Sequence, residues 1–106
     1  MLRLKCTLGY IDQTESGPRY HLRVEDEITQ AKLNRYGRQF TGGHFAARLK
    51  GCKVVPDDVR ELVSCPCSVL VKIIRMGRAG KQKISYGDVE QPMLYRVQIL
   101  EIKAAE

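Results

Sequence analysis

No stretch of this sequence is apolar for long. The longest such run, Ser68-Val-Leu-Val-Lys-Ile-Ile-Arg75, is interrupted by Lys72 and falls far short of the roughly 18 residues a membrane-spanning helix requires. The opening Met1-Leu-Arg-Leu-Lys-Cys6 alternates leucine with charge and has no apolar export core. A cytoplasmic address is therefore expected, or a nuclear one in a eukaryote, with no membrane contact. There the four cysteines, Cys6, Cys52, Cys65 and Cys67, are expected as thiols rather than disulfides. A glycine-rich phosphate loop and a nucleophile elbow are also missing.

What is present suits one folded domain over residues 1–106. Hydrophobic residues make up 43% of the chain, enough for one core at this length and too many for a disordered chain of similar charge. Leu2, Leu4, Cys6, Leu8 and Tyr10 alternate with Arg3, Lys5 and Thr7, which predicts a half-buried first strand with Tyr10 packed inward. The turn formers Asp12 to Pro18 predict a longish loop, and Tyr20, Leu22 and Val24 alternate with Arg19, His21 and Arg23 in a second strand. Residues 26–37 fit a short helix or an ordered loop. A third strand is expected within Gln39 to Lys53, and Pro56 to Val63 carries proline and two acids where a short helix would start. Residues 68–76, Lys81 to Tyr86 and Tyr95 to Lys103 supply the last strands.

Three strands, a helix and then the remaining strands match a mainly β fold. The expected architecture is a five- to six-stranded Greek-key barrel of the OB type with one short helix between the third and fourth strands. A small α+β roll is the alternative.

The formal net charge is +6, from 18 Lys and Arg against 12 Asp and Glu. Its distribution says more than its size. No acid occurs between Ile28 and Pro56, where Lys32, Arg35, Arg38, Arg48, Lys50 and Lys53 fall, or between Leu62 and Gly87, where Lys72, Arg75, Arg78, Lys81 and Lys83 fall. The same windows hold Tyr36, Phe40, Phe45 and Tyr86. Cations that follow phosphates, interleaved with rings that stack on bases, are the composition of a single-strand nucleic-acid groove. Tyr36, Phe40 and Tyr86 flank loops and are the stacking candidates, whereas Phe45 and Tyr20 share parity with the core.

The runs Gly43-His-Phe-Ala-Ala-Arg-Leu-Lys-Gly51, Val55 to Val63, Ser68 to Tyr86 and Leu94 to Ile102 together resemble the layout of single-stranded DNA-binding OB proteins. The resemblance implies phosphate contacts at Arg48, Lys50, Arg75, Arg78, Lys81 and Lys83, and stacking at Phe40 and Tyr86. Arg19, His21, Arg23, Arg38, His44 and Lys72 would border the same groove. The expected partner is single-stranded DNA or RNA, in replication, repair or phage biology. The alternative is a protein-interaction module, either a subunit of a larger assembly or homo-oligomer, or a virus-encoded inhibitor of an acidic partner, with Ile74 and Met76 as its exposed apolar residues.

Cys65-Pro-Cys67 lacks the two-residue spacer of a zinc knuckle, so Cys6, Cys52, His21 and His44 are not expected to complete a metal site with it. No cofactor is expected. Nothing in the order of residues places His21 beside His44, so acid–base cleavage of RNA has no support at this level and the chain reads as a binding protein, not an enzyme.

Overall fold

A computed structural model describes residues 1–51, 53–78 and 93–105. Strands β1 (Leu2–Thr14) and β2 (Gly17–Val24) form a hairpin, followed by helix α1 (Glu27–Asn34), a 3-10 turn over Arg38–Phe40 and strand β3 (His44–Leu49). Helix α2 (Asp57–Arg60) then leads to β4 (Pro66–Arg78) and β5 (Met93–Ala104). The five strands close into a barrel in the order β1-β2-β3-β5-β4. All neighbours are antiparallel except β3 and β5, which run parallel. This is the mainly β, OB-like Greek key expected from the strand order. Among the described residues no helix is long and apolar enough to cross a membrane.

The helices divide differently from expectation. The segment between β3 and β4 forms only the four-residue α2, while the longer α1 lies between β2 and β3. Asp26 starts α1 by accepting the Thr29 N–H at 2.8 Å. Leu33 from α1 and Phe40 from the 3-10 turn then reach the core, both fully buried. Gln39 fixes this segment to β5, because its amide donates to the Tyr95 carbonyl (2.7 Å) and its carbonyl accepts the Tyr95 N–H (3.0 Å). One side chain thus satisfies both backbone groups of a strand residue that β3 does not reach. On α2, Val59 turns inward beside Val55.

Alternation fills the barrel: Leu4, Cys6 and Leu8 of β1, Tyr20 and Leu22 of β2, Phe45 and Ala47 of β3, Cys67, Val69 and Val71 of β4, and Val97 and Ile99 of β5 are all buried. Each fully buried Leu, Val or Ile side chain contributes on the order of 1.5–3 kcal/mol. Within β1 the alternation breaks once. The β1–β2 register shifts between Leu8 and Tyr10, and a bulge of this kind reverses the faces that follow it. Gly9 occupies the bulge, where a Cβ would lie 3.4 Å from the His21 carbonyl oxygen. Beyond it Ile11 packs against the core, and Tyr10 is turned out, 57% exposed, against the inward position its parity predicts.

The long first loop is also absent. Asp12 pairs with Arg19, Gln13 with Pro18 and Thr14 with Gly17, so only Glu15 and Ser16 form the turn. Gly17 adopts a φ of 109°, which side-chain-bearing residues rarely take.

Candidate nucleic-acid interface

The β1–β2–β3 sheet has an outer face set by register. Tyr10 lies opposite His21, which lies opposite Ala46; Arg23 lies opposite His44; and Asp12 lies opposite Arg19. The rings of Tyr10 and His21 stack with centroids 4.0 Å apart and planes 11° from parallel. Behind them the Asp12 carboxylate accepts from Arg19 Nη2 (2.9 Å) and from His21 Nε2 (3.0 Å). The carboxylate fixes the imidazole, the imidazole backs the tyrosine, and the outer ring is left to solvent.

The Arg19 and His21 hydrogen bonds lower the Asp12 pKa to about 2 from 3.8. Because the folded protein binds that proton more weakly than the unfolded chain, the cluster's stabilisation is complete above 3.8 and is lost as pH falls through about 2. The expected result is that Asp12→Asn is less stable than the unsubstituted protein at neutral pH, and that the gap closes across that interval in acid denaturation curves. A gap that does not depend on pH would contradict the ionic origin of the clamp.

A second feature lies round the barrel. Arg48 donates from Nη1 to the Gly17 carbonyl (3.1 Å) and from Nη2 to Thr14 Oγ1 (3.0 Å), tying β3 to the tip of the hairpin. The Lys50 N–H donates to Ile99 O at 3.1 Å and anchors the end of β3 on β5. These ties shape a cleft of about 270 Å³ lined by Arg48, Lys50, Lys53 and Arg96, with Ser16, Pro18 and Gln98 among its other walls. Among the described residues that line it there is no carboxylate. Four cations around one opening create a positive potential that only counter-ions or an anionic ligand offset.

Register shows how the two acid-free windows meet. Arg48 of β3 lies opposite Gln98 of β5, and Gln98 lies opposite Lys72 of β4. The row Arg48, Gln98, Lys72 runs across three strands, with Arg96 beside it opposite Ile74. The windows join through β5, a strand that belongs to neither of them.

The expected site residues separate accordingly. Arg48 and Lys50 line the cleft and Lys72 adjoins it; Arg19, His21, Arg23 and His44 share the neighbouring β1–β2–β3 face. Arg38 is exposed on its turn and does not line the cleft, and Arg75 is exposed opposite Tyr95. Phe40 is not a stacking residue. It is buried in an aromatic cluster, edge-on to Phe45 at 5.7 Å and to Tyr36 at 6.3 Å, and Tyr36 in turn meets Tyr95 at 5.4 Å. Lys81, Lys83 and Tyr86 lie outside the described residues, as does Cys52, and Arg78 closes β4 at their edge.

Sequence reasoning missed Tyr10 and Arg96, and counted Lys53 among the cations of the first acid-free window without placing it at the site. The signal for Tyr10 was Gly9 inside an otherwise regular strand, and for Arg96 its parity opposite the inward Val97. Cys6 and Cys67 are buried partners in the β1–β4 ladder, and burial pushes the Cys6 thiol up to about 12. These thiols act as small core side chains. Among the described residues no three His, Cys, Asp or Glu side chains group closely enough to hold a metal ion.

Comparison with known protein families, with curated proteins and with solved structures found no match for this chain.

Proposed function

We propose that the protein binds single-stranded nucleic acid, with phosphates in the Arg48–Lys50–Lys53–Arg96 cleft and an unpaired base on the exposed ring of Tyr10. The carrying observation is the cleft itself: four cations from three segments of the chain, with no carboxylate among its described lining. Pro18, Leu49 and Val97 form apolar parts of the lining, so it is the unbalanced positive charge that favours an anionic ligand, and a run of phosphates meets cations from β3, from the segment after it and from β5. The platform adds a preference for unpaired strands, since a base inside a duplex cannot reach a protein ring face and an unstacked one gains about 1–3 kcal/mol on doing so.

A titration of fluorescent single-stranded oligonucleotide at several salt concentrations tests this reading. Four phosphate contacts imply a log–log slope of about −3. Tyr10→Ala is expected to weaken single-strand binding by about 5- to 150-fold while leaving that slope in place. The absence of binding at low salt would refute the proposal.

A second reading, a protein-interaction surface, is favoured by one observation. Met76 is 50% exposed and Leu94, opposite Gly77 on β5, is also exposed, while Ile74 is half-buried. A stable dimer by sedimentation, lost in Met76→Ser, would support it.

A further inference from the structure

We infer that the edge of β4 beyond Val71 receives an extended acidic segment of a partner protein as an added antiparallel strand, read in the order acidic, apolar, apolar, acidic. The inference uses neither the cationic cleft nor a dimer. Its basis is the length of β4, which runs from Pro66 to Arg78 while its ladder with β1 stops at the pair Leu2 and Val71. Past Val71 the strand continues on β5, and among the described residues no strand flanks it on the other side.

Hydrogen-bond parity shows which backbone groups that edge presents. Both backbone groups of Tyr95 are taken by Gln39, so they point away from β4, and the opposed Arg75 and Tyr95 form a pair without backbone hydrogen bonds between them. Such pairs alternate with bonded ones along an antiparallel ladder, and the register is regular from Arg75 back to Val71. Ile73, opposite Val97, therefore also turns its N–H and carbonyl away from β5, towards the side that β1 occupies lower down. Val71 meets Leu2 there, whereas Ile73 meets no described strand. Gln39 closes the edge of β5. The edge of β4 offers a donor and an acceptor in strand geometry, which is what strand addition requires.

Side chains set the partner. Lys72 and Ile74 share one face of β4, and Ile73 and Arg75 share the other. Lys72 and Arg75 are exposed, and Ile73 and Ile74 are half-buried. An incoming antiparallel strand meets Arg75, Ile74, Ile73 and Lys72 in turn, and opposite-charge and apolar pairs directly across a ladder are the stabilising ones. Arg96, opposite Ile74 on β5, adds positive charge to the same face, and no acid occurs between Leu62 and Gly87. A second copy would bring Lys72 and Arg75 of both chains onto one ribbon without a carboxylate, and cations on an edge guard against that pairing. A nucleic-acid strand would meet the cations, but a phosphate only accepts hydrogen bonds and leaves the Ile73 carbonyl without a donor.

The test is fluorescence anisotropy of the full chain with a labelled hexapeptide, Glu-Val-Val-Glu flanked by threonines and capped at both ends. It is expected to bind at least about 10-fold more tightly than its isomer with Val-Glu-Glu-Val at the centre. Methylating the amide nitrogen of the second valine, which lies opposite Ile73, should weaken binding about 10-fold or more. Methylating that of the first valine, which faces away from the edge, should weaken it far less. Lys72→Glu should reverse the preference at the last charged position from glutamate to lysine. Hydrogen exchange of the Ile73 amide should slow when the peptide is bound. Equal affinity for the two isomers, equal effects of the two methylations or an unchanged Ile73 exchange rate would overturn the inference. So would protection of Ile73 by a single-stranded oligonucleotide in place of the peptide, or by self-association seen in sedimentation. The peptide assay contains no oligonucleotide, so failure of the nucleic-acid reading leaves its outcome untouched.

Discussion

Charge reversal at Lys50, Lys53 and Arg96 together is expected to lower affinity for a single-stranded oligonucleotide on the order of 100-fold or more at low salt, and to flatten the log–log salt slope by about 2. The three side chains come from the end of β3, from the segment after it and from the middle of β5, yet they line one cleft. Each phosphate they neutralise releases condensed counter-ions from the strand, and the sum of those releases sets the slope. The slope therefore counts contacts, whereas the affinity alone would also respond to an altered fold. Arg48 is left out of the triple variant because its guanidinium also holds the hairpin tip through Gly17 and Thr14. A control reversal of Arg60, on α2 and outside the cleft, should leave the slope unchanged. If Arg60→Glu weakens binding as much as the cleft variant, the interaction is with the protein's general positive charge and not with this site.

Phe40→Ala is expected to cost about 3–5 kcal/mol of unfolding free energy, the range for removing a fully buried aromatic side chain. The ring has no exposure and sits between Phe45 of β3 and Tyr36, so truncation leaves a cavity where the 3-10 turn meets the barrel. Gln39, one residue earlier, hydrogen-bonds Tyr95 at two points, which restrains the turn from collapsing into that space. Denaturant unfolding gives the loss directly. A variant of unchanged stability with weakened oligonucleotide binding would restore Phe40 as a surface stacking residue and contradict its place in the core.

The contrast between Phe40 and Tyr10 shows where the sequence was legible. Strand alternation located β1, β2 and β3 and put Leu4, Cys6, Tyr20, Leu22 and Phe45 inside, because a side-chain period of two is set by local backbone geometry. It failed for Tyr10 because one bulge residue, Gly9, reverses the faces after it. It failed for Phe40 because that residue lies in a 3-10 turn where the period does not apply. Counting acids along the chain found Arg48, Lys50, Lys53 and Lys72. It passed over Arg96, whose stretch of sequence is bounded by Glu90 and Glu101, since a linear window cannot see that β5 lies between β3 and β4.

The claim that one face takes a nucleic-acid strand is tested most directly by following backbone amide resonances while a single-stranded oligonucleotide is added to the labelled protein. The account requires the largest shifts at Ser16, Arg48 to Gly51, Lys53 and Arg96 to Gln98, with a second group at Tyr10 and His21. Shifts confined to α1 and α2, or to the surroundings of Met76 and Leu94, would contradict it.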